Sequence, residues 1–500
     1  MVSEKFRRQL RQEATQWQAD GWISADVYHH LAEQYDFDSI DAHARDRFVA
    51  VLVIIGGVLL GISVITFVAA NWQAIPRSIK VVLLLSVLIA FNTAGFYLWR
   101  SPSTPAHYRS QWRNRLGHGF LICGSLIIGA NLALMGQLFH QTGSAFGLCI
   151  IWGFGVVVMA YGLRLSSLAA IACVLVNVGY WTEYVSYSAR TFPLPLTLIF
   201  EGMPLVLGLV FLPLAYWCQS RWVFGLTVVG VSASLTPTIF EPVILNDPSG
   251  LTTAIALTLP ALFWWAYDDN IWQIITHRIR SGLRQAPVQE ATQGEQWFRP
   301  VARLLTIIYL GGLFYSLSFH SVWTDYVWGT PPETTPFARV VSLLVTNPNV
   351  MVMALLAIAF WLCLGWPRIG HTWRLTTTDG VVLGMLGITA GLVIWDAAVG
   401  PIQIWATMMF NILLFLLAAG LMREGLDDGD RPQFWFGLAL LILQIISRVF
   451  EYETGLLLKS FTFLLCGIGV IIIGLWFERY VRALSASLPP SPTSNSSEEI

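Results

Sequence analysis

Residues 131–143 place several polar side chains at the end of a long apolar run that begins near residue 118. On a helix, where each residue turns by about 100°, Gln137, His140 and Gln141 share one arc. Asn131 flanks that arc. A helix in hydrocarbon places such side chains against other helices or against water. We therefore expect either a polar site at the end of this helix or a hydrogen-bond cluster that joins neighbouring helices.

Ionisable side chains at the ends of other apolar runs extend this set. Arg448 and Glu451 lie three residues apart and could pair, or Arg448 could pair with Asp396 at the end of another run. Glu201 follows Pro195 by six residues. Glu201 either has a functional role or lies near the start of a helix, where the positive end of the helix dipole stabilises a carboxylate. The candidate polar site comprises Asn71, Gln137, His140, Gln141, Glu201, Asp396, Arg448 and Glu451.

Composition limits the classes of protein that this chain can represent. Hydrophobic residues make up 55% of it and charged residues only 12%, whereas a soluble domain carries about 25% charged residues. A net charge of −1 argues against binding to nucleic acid. The six cysteines lack metal-ligand spacing, so no metal or other cofactor is predicted. No Ser-His-Asp, phosphate-binding or paired-carboxylate pattern stands out, so little supports an enzyme.

Apolar segments of about 20 residues predict an all-α, polytopic integral membrane helical bundle with about fourteen spans. The spans run near residues 48–70, 81–99, 118–139, 145–163, 165–183, 195–217, 222–240, 251–267, 301–321, 350–366, 381–395, 402–422, 435–446 and 456–477. If the N-terminus is inside, 23 of the 29 basic residues fall on the inner side. This bias predicts an inner membrane protein with both termini in the cytoplasm, and predicts that the candidate polar residues lie toward the outer side.

The spacing of apolar residues predicts a small cytosolic helical hairpin over residues 1–47. Phe6, Leu10, Ala14 and Trp17 recur at helical spacing, and Gly21 breaks the pattern. The hairpin either docks a cytosolic protein partner or merely covers the inner end of the bundle. The predicted domains that follow are a first transmembrane helix group (48–267), a cytosolic linker loop (268–300), a second helix group (301–482) and a disordered tail (483–500).

Three groups of residues in the first third of the chain carry a resemblance to a known family. They are Gly21-Trp22-Ile23-Ser24; Gly56–Gly61 with Ala69-Ala70-Asn71-Trp72 and Ile75-Pro76-Arg77; and Gly129-Ala130-Asn131 with Met135–His140. These groups resemble the opening hairpin, first span and third span of bacterial predicted membrane proteins of the domain of unknown function 2157 (DUF2157) family. The resemblance covers about residues 16–162, and residues 447–451 and 467–478 resemble the closing helix pair more weakly. It implies membership and a membrane location, and it implies no catalytic activity.

Three hypotheses for function follow. The first is a transport-related or solute-binding membrane protein with an outward-facing polar cavity, whose small-molecule ligand the sequence does not specify. The second is a structural or sensory scaffold that docks partners through its N-terminal hairpin. The third is a membrane-embedded enzyme that acts on a lipid-linked substrate, with His140 as general base. The lipid bilayer is a partner in all three.

Overall fold

The computed structural model describes residues 4–34, 76–100, 107–140, 143–186, 193–243, 250–269, 297–324, 341, 345–365, 376–427, 429–451 and 455–487. These residues form seventeen helices and no strand. The first nine are α1 (Glu4–Ala19), α2 (Ala25–Gln34), α3 (Arg77–Arg100), α4 (His107–Leu138), α5 (Ala145–Leu163), α6 (Ser166–Val185), α7 (Leu194–Glu201), α8 (Met203–Cys218) and α9 (Arg221–Val243). The others are α10 (Leu251–Trp265), α11 (Arg299–Leu317), α12 (Ser321–Thr324), α13 (Pro348–Gly365), α14 (Thr377–Ala398), α15 (Gln403–Asp427), α16 (Arg431–Glu451) and α17 (Leu456–Ser487).

The chain divides into two compact units, residues 1–90 and 91–500. In the first unit, α1 and α2 pack around the fully buried Ala14, with Leu10, Trp17 and Leu31 against it. Gly21 has a φ of +77° between the two helices, a conformation that costs glycine little. These two helices fall within residues 1–47, and the cytosolic hairpin expected there stays a prediction.

Ten of the described helices are long and apolar enough to cross a membrane. The pair α7 and α8 would make an eleventh span, although it is bent by 79°. Two shorter apolar helices, Leu251–Trp265 and Pro348–Leu364, also fall where spans are expected. The all-helical membrane fold is therefore confirmed. The count of about fourteen stays a prediction, since the first expected span, 48–70, lies outside the described residues.

Two expected elements have different bounds in the structure. The span expected over residues 195–217 is not one straight helix, because Gly202 separates α7 from α8 at the bend. Pro204 follows at the start of α8, where its missing N–H costs no helical hydrogen bond. At the other end of the chain, α17 continues to Ser487, into the segment expected to be disordered from residue 483. Residues 488–500 of that segment lie outside the described residues.

The second unit contains two large hydrophobic cores. Residues of α5, α6, α8 and α9 dominate the first, whereas α11, α14 and α15 dominate the second. The helix α10 contributes to both, with Trp264 in the first core and Trp265 in the second. At 15 residues α10 is short for a span, but it is buried by helices that surround it.

The helices α15 and α16 form a tight antiparallel pair that positions most of the polar residues described below. Gly437 allows the close approach, because a Cβ there would lie 2.7 Å from the Ala418 carbonyl oxygen. The pair brings the start of α15 beside the end of α16. The end of α11 packs against α15 at the same level, as Phe314 and Phe410 show with ring centroids 6.2 Å apart.

Candidate functional site

The C-terminal end of α11 carries a carbonyl group that two other helices bind. The last turns of a helix leave carbonyl oxygens without helical partners. At the Ser318 carbonyl oxygen, Arg448 Nη1 donates a hydrogen bond at 2.6 Å and Asn411 Nδ2 donates another at 3.1 Å. A guanidinium at this position also suits the negative end of the helix dipole. The end of α11 is thereby tied to α15 through Asn411 and to α16 through Arg448.

Arg448 makes further contacts that hold its guanidinium in one place. Its Nη2 donates to Ser318 Oγ at 3.4 Å, and the guanidinium lies 4.4 Å from the centroid of the Phe319 ring. Glu451, one turn later on α16, forms an ion pair with it. The side chains of Arg448 and Glu451 are 18% and 12% exposed. The pair is therefore largely desolvated, and some of its surface still reaches the outside of the bundle.

Glu451 continues the hydrogen-bonded path toward the start of α15. It accepts a hydrogen bond from the His320 backbone N–H, and His320 Nε2 lies 2.8 Å from Gln403 Nε2. Ile402, which precedes Gln403, donates its N–H to Asp396 Oδ1 at 2.9 Å. The structure thus connects Asp396 to Glu451 and Arg448 through the turn before α15, although Arg448 pairs with Glu451 and not with Asp396.

Gln444 completes the group from a position one turn before Arg448. Its Nε2 donates to the Asn411 carbonyl oxygen at 2.8 Å and to Asn411 Oδ1 at 3.1 Å. We refer to the whole group as the Arg448 cluster. It comprises Ser318, His320, Gln403, Thr407, Asn411, Gln444, Arg448 and Glu451.

Three buried polar atoms of the Arg448 cluster have neither a hydrogen-bond nor an ion-pair partner among the described residues. They are Thr407 Oγ1, Gln444 Oε1 and Arg448 Nε. A buried polar group without a partner costs about 1–3 kcal/mol, and native structures carry few of them. One donor, one acceptor and one hydroxyl, which can do either, therefore remain unused among the described residues.

The structure does not bring Gln137 and His140 to the Arg448 cluster. Gln137 and His140 are exposed at the end of α4, which packs against α5 and α6 beside the first core. His140 has a φ of +53°, and its N–H donates to the Gln137 carbonyl oxygen at 3.3 Å. Neither side chain forms a hydrogen bond to the Arg448 cluster in the described part of the chain. Asn71 and Gln141 lie outside the described residues.

Glu201 occupies the bend between α7 and α8. It is the last residue of an eight-residue helix, and Gly202 then caps the next helix. Its side chain is exposed, while its carbonyl oxygen accepts a hydrogen bond from Asn349 Nδ2 at 2.8 Å. Glu201 therefore ends the short helix α7, which begins at Leu194 with Pro195 in its first turn, and directly precedes α8.

Of the Arg448 cluster, the candidate residues chosen from the sequence include only Arg448 and Glu451. Gln444 could have been predicted from the sequence, because it precedes Arg448 by four residues and therefore lies on the same face of the helix. His320 and Gln403 fall at the edges of expected spans, where polar residues are common. Their contact joins residues 83 apart in the chain, so helix spacing does not indicate it.

A second polar cluster lies at the opposite, N-terminal end of α11. Asp269 is fully buried and accepts hydrogen bonds from the Tyr216 hydroxyl and from the backbone N–H groups of Phe298 and Arg299. Asp379 is 1% exposed and accepts from Trp265 Nε1, Arg303 Nη2 and the Thr376 N–H. We refer to this group as the Asp269–Asp379 cluster. It comprises Tyr216, Trp265, Asp269, Arg303 and Asp379.

A family comparison identifies the first part of the chain. Residues 15–169 match the family described as "Predicted membrane protein (DUF2157)". This part of the chain is similar to the DUF2157 family. The resemblance of the sequence to this family is thereby confirmed, and α2 to α5 lie inside the match. No curated protein and no solved structure matches the chain. The Arg448 cluster lies outside the DUF2157 match, in the second core.

Proposed function

We propose that this membrane protein is transport-related and binds a small polar solute at the Arg448 cluster. The supporting observation is that Thr407 Oγ1, Gln444 Oε1 and Arg448 Nε are buried and unpaired beside a part-exposed ion pair. A charged side chain within a span costs at least about 2.5 kcal/mol, so residues of this kind usually pair or line a polar pathway. Here Arg448 is paired, yet part of its hydrogen-bonding capacity is unused.

The three unpaired atoms support a proposal for the kind of solute. Arg448 Nε offers a hydrogen-bond donor and Gln444 Oε1 an acceptor, while the Thr407 hydroxyl can do either. The ion pair leaves the site close to neutral. A small zwitterion or a polyol carries the complementary donors and acceptors, whereas an ion of high net charge lacks a counter-charge here. The outward-facing position of the site follows from the basic residues of the loops and is part of the proposal.

Access to Thr407 tests this proposal. In a Thr407→Cys variant, a small membrane-impermeant methanethiosulfonate added outside intact cells should modify the introduced thiol, as read by peptide mass spectrometry. Glycine or glycerol, used as probe solutes, should slow the modification. Thr306→Cys is the matched control, because Thr306 is 2% exposed and its hydroxyl already donates to the Ala302 carbonyl oxygen at 2.8 Å. If the introduced thiol remains unmodified in both variants, the Arg448 cluster only joins helices and the proposal is wrong.

A scaffold function is the second proposal, because the hairpin exposes a large aromatic residue. Trp22, between α1 and α2, is 77% exposed, and Val27 on α2 is 47% exposed. Exposed aromatic side chains are common anchors for protein partners. Deleting residues 1–47 should then leave the bundle inserted and remove only the partner contact. Loss of insertion would instead make the hairpin part of the membrane core and would contradict a docking function.

A further inference from the structure

A groove on the second unit runs between α15, α16 and α17, away from the Arg448 cluster. Its volume is about 420 Å³, within the range of ligand-binding clefts. Apolar side chains form its walls: Phe415, Met422 and Leu426 of α15, Leu441 of α16 and Trp476 of α17. Two charged residues of α15, Arg423 and Asp427, complete the lining at one end. An apolar cleft with charges at a single end matches the chemistry of an amphiphile.

The walls of the groove are held together by specific contacts. Phe434 of α16 and Phe477 of α17 stack with ring centroids 4.1 Å apart, and Met422 and Leu426 pack against this pair. On the same side, Arg431 and Glu478 form a salt bridge of 3.1 Å between α16 and α17. The groove is therefore a built feature of three packed helices.

The length of the groove matches one leaflet of a bilayer. Phe415 and Asp427 are twelve residues apart on α15, which corresponds to about 18 Å along the helix axis. Half of the hydrocarbon core is about 15 Å thick. Arg423, Arg431 and Arg479 lie at the charged end, which the distribution of basic residues assigns to the inner side. The groove as a whole therefore spans about one leaflet, and its charged end lies at the inner interface.

The two charged residues are available to a headgroup. Arg423 and Asp427 lie four residues apart and approach only to 3.9 Å, with side chains 85% and 66% exposed. Such an exposed pair contributes little to stability, so its hydrogen-bonding capacity is largely unused. A guanidinium binds phosphate well, and a carboxylate binds a primary ammonium. Phosphate and ammonium occur together in the headgroup of a zwitterionic aminophospholipid.

We infer that this groove is a binding site for a zwitterionic aminophospholipid of the inner leaflet. Arg423 binds the phosphate and Asp427 binds the ammonium group. An acyl chain lies between α15 and α17 against Phe415 and Trp476. This inference is independent of the proposed solute site, since the groove and the Arg448 cluster lie toward opposite ends of the α15–α16 pair.

Native mass spectrometry tests the inference directly. The full-length protein is extracted from nanodiscs of equal parts phosphatidylethanolamine and phosphatidylglycerol, and the retained lipids are identified. We expect phosphatidylethanolamine to predominate. Arg423→Gln should lower retention of both lipids by about tenfold, equivalent to about 1.4 kcal/mol of binding free energy. Asp427→Asn should keep phospholipid bound but shift the preference toward phosphatidylglycerol.

Matched variants separate the groove from general effects of charge. Arg221→Gln and Asp430→Asn change exposed residues outside the groove and should retain lipid as the unaltered protein does. Ala419→Phe fills the exposed lining of the groove without altering a charge, and should lower retention of both lipids with no change of preference. If Asp427→Asn leaves the preference unchanged, or if Arg423→Gln and Ala419→Phe both retain lipid normally, the inference is wrong.

Discussion

The two ends of α11 carry buried polar clusters that are built in different ways. At the N-terminal end, Asp269 and Asp379 each accept three hydrogen bonds from described residues. At the C-terminal end, the Arg448 cluster binds the Ser318 carbonyl oxygen through a guanidinium and an amide. The opposite charges at the two ends of α11 follow from the structure of a helix. Free N–H groups at the N-terminal end favour carboxylates, and free carbonyl groups at the C-terminal end favour cations.

The clusters also differ in how completely their groups are used. Both carboxylates of the Asp269–Asp379 cluster have partners that cap α11 or α14 or bridge two helices, as a structural role requires. The Arg448 cluster leaves an amide oxygen, a guanidinium N–H and a hydroxyl unpaired among the described residues, whereas the Asp269–Asp379 cluster leaves only the guanidinium Nε of Arg303. A candidate binding site in a membrane protein is thus better identified by polar groups whose hydrogen-bonding capacity is unused than by the presence of polar groups alone.

The largest expected effect concerns the sides of the membrane to which the two clusters belong. A reporter that is active only outside the cytoplasm should be silent when fused after Gln285, before α11, and active when fused after Asn349, at the start of α13. The reason is that 23 of the 29 basic residues then face inward. The reverse pattern would place the Arg448 cluster on the cytoplasmic side and would contradict the proposal of an outward-facing site.

Next in size is the loss of the Asp269 carboxylate. Asp269→Ala should destabilise the protein by about 3 kcal/mol or more, because three donors lose their acceptor in a fully buried place. The thermal unfolding temperature of the purified protein in detergent measures this loss. Asp268→Ala is the neighbouring control at a half-buried position and should cost less. Equal costs would mean that Asp269 has no special role at the start of α11.

A smaller effect is expected from separating Arg448 and Glu451. Arg448→Gln and Glu451→Gln should each cost about 1–3 kcal/mol, since the partner is left largely desolvated. The double variant should cost less than the sum of the two by about 1 kcal/mol, because the second change removes the group left unpaired by the first. Unfolding measurements on the four proteins give the coupling. Additive costs would show that the two residues act separately.

Much of the fold follows from the sequence because the bilayer permits few alternatives. Long apolar runs become helices, and the spacing of Arg448 and Glu451 indicates their pair. The bend at Gly202 was not predicted from the sequence. Residues 195–217 are largely apolar, and a hydropathy pattern does not show whether a helix is straight or bent. The short α10 resembles a weak span in sequence, yet contacts from many helices bury it.

The site was harder to predict than the fold, for a physical reason. Polar residues at the ends of spans look alike in sequence, and the distribution of charges indicates only which side of the membrane they face. By that criterion the sequence predicts that His140 and Arg448 lie on the same side of the membrane, and both were assigned to one site. Packing decides which of them meet, and it places α4 beside the first core and α16 beside the second. His320 and Gln403 come together only because α11 ends beside the start of α15.

The smallest expected effect is a change in stability at Thr407, and its sign differs from that of the same change at Thr306. It tests most directly whether the Arg448 cluster has unused hydrogen-bonding capacity. Thr407 and Thr306 are both buried threonines in helices, 6% and 2% exposed. The Thr306 hydroxyl donates to the Ala302 carbonyl oxygen, whereas Thr407 Oγ1 has no partner among the described residues. Replacing an unpaired hydroxyl by a methyl group of similar shape removes a desolvation cost, while replacing a paired one removes a hydrogen bond.

Thr407→Val should therefore leave the protein equally stable or raise its stability by about 1 kcal/mol, and Thr306→Val should lower it by about 1 kcal/mol. Thermal unfolding in detergent without added solute compares the two. With glycine or glycerol present, any stabilisation of the unaltered protein by the solute should be weaker in Thr407→Val and unchanged in Thr306→Val. If Thr407→Val is the more destabilised of the two, its hydroxyl has a structural partner, and the unused capacity that distinguishes the Arg448 cluster is absent.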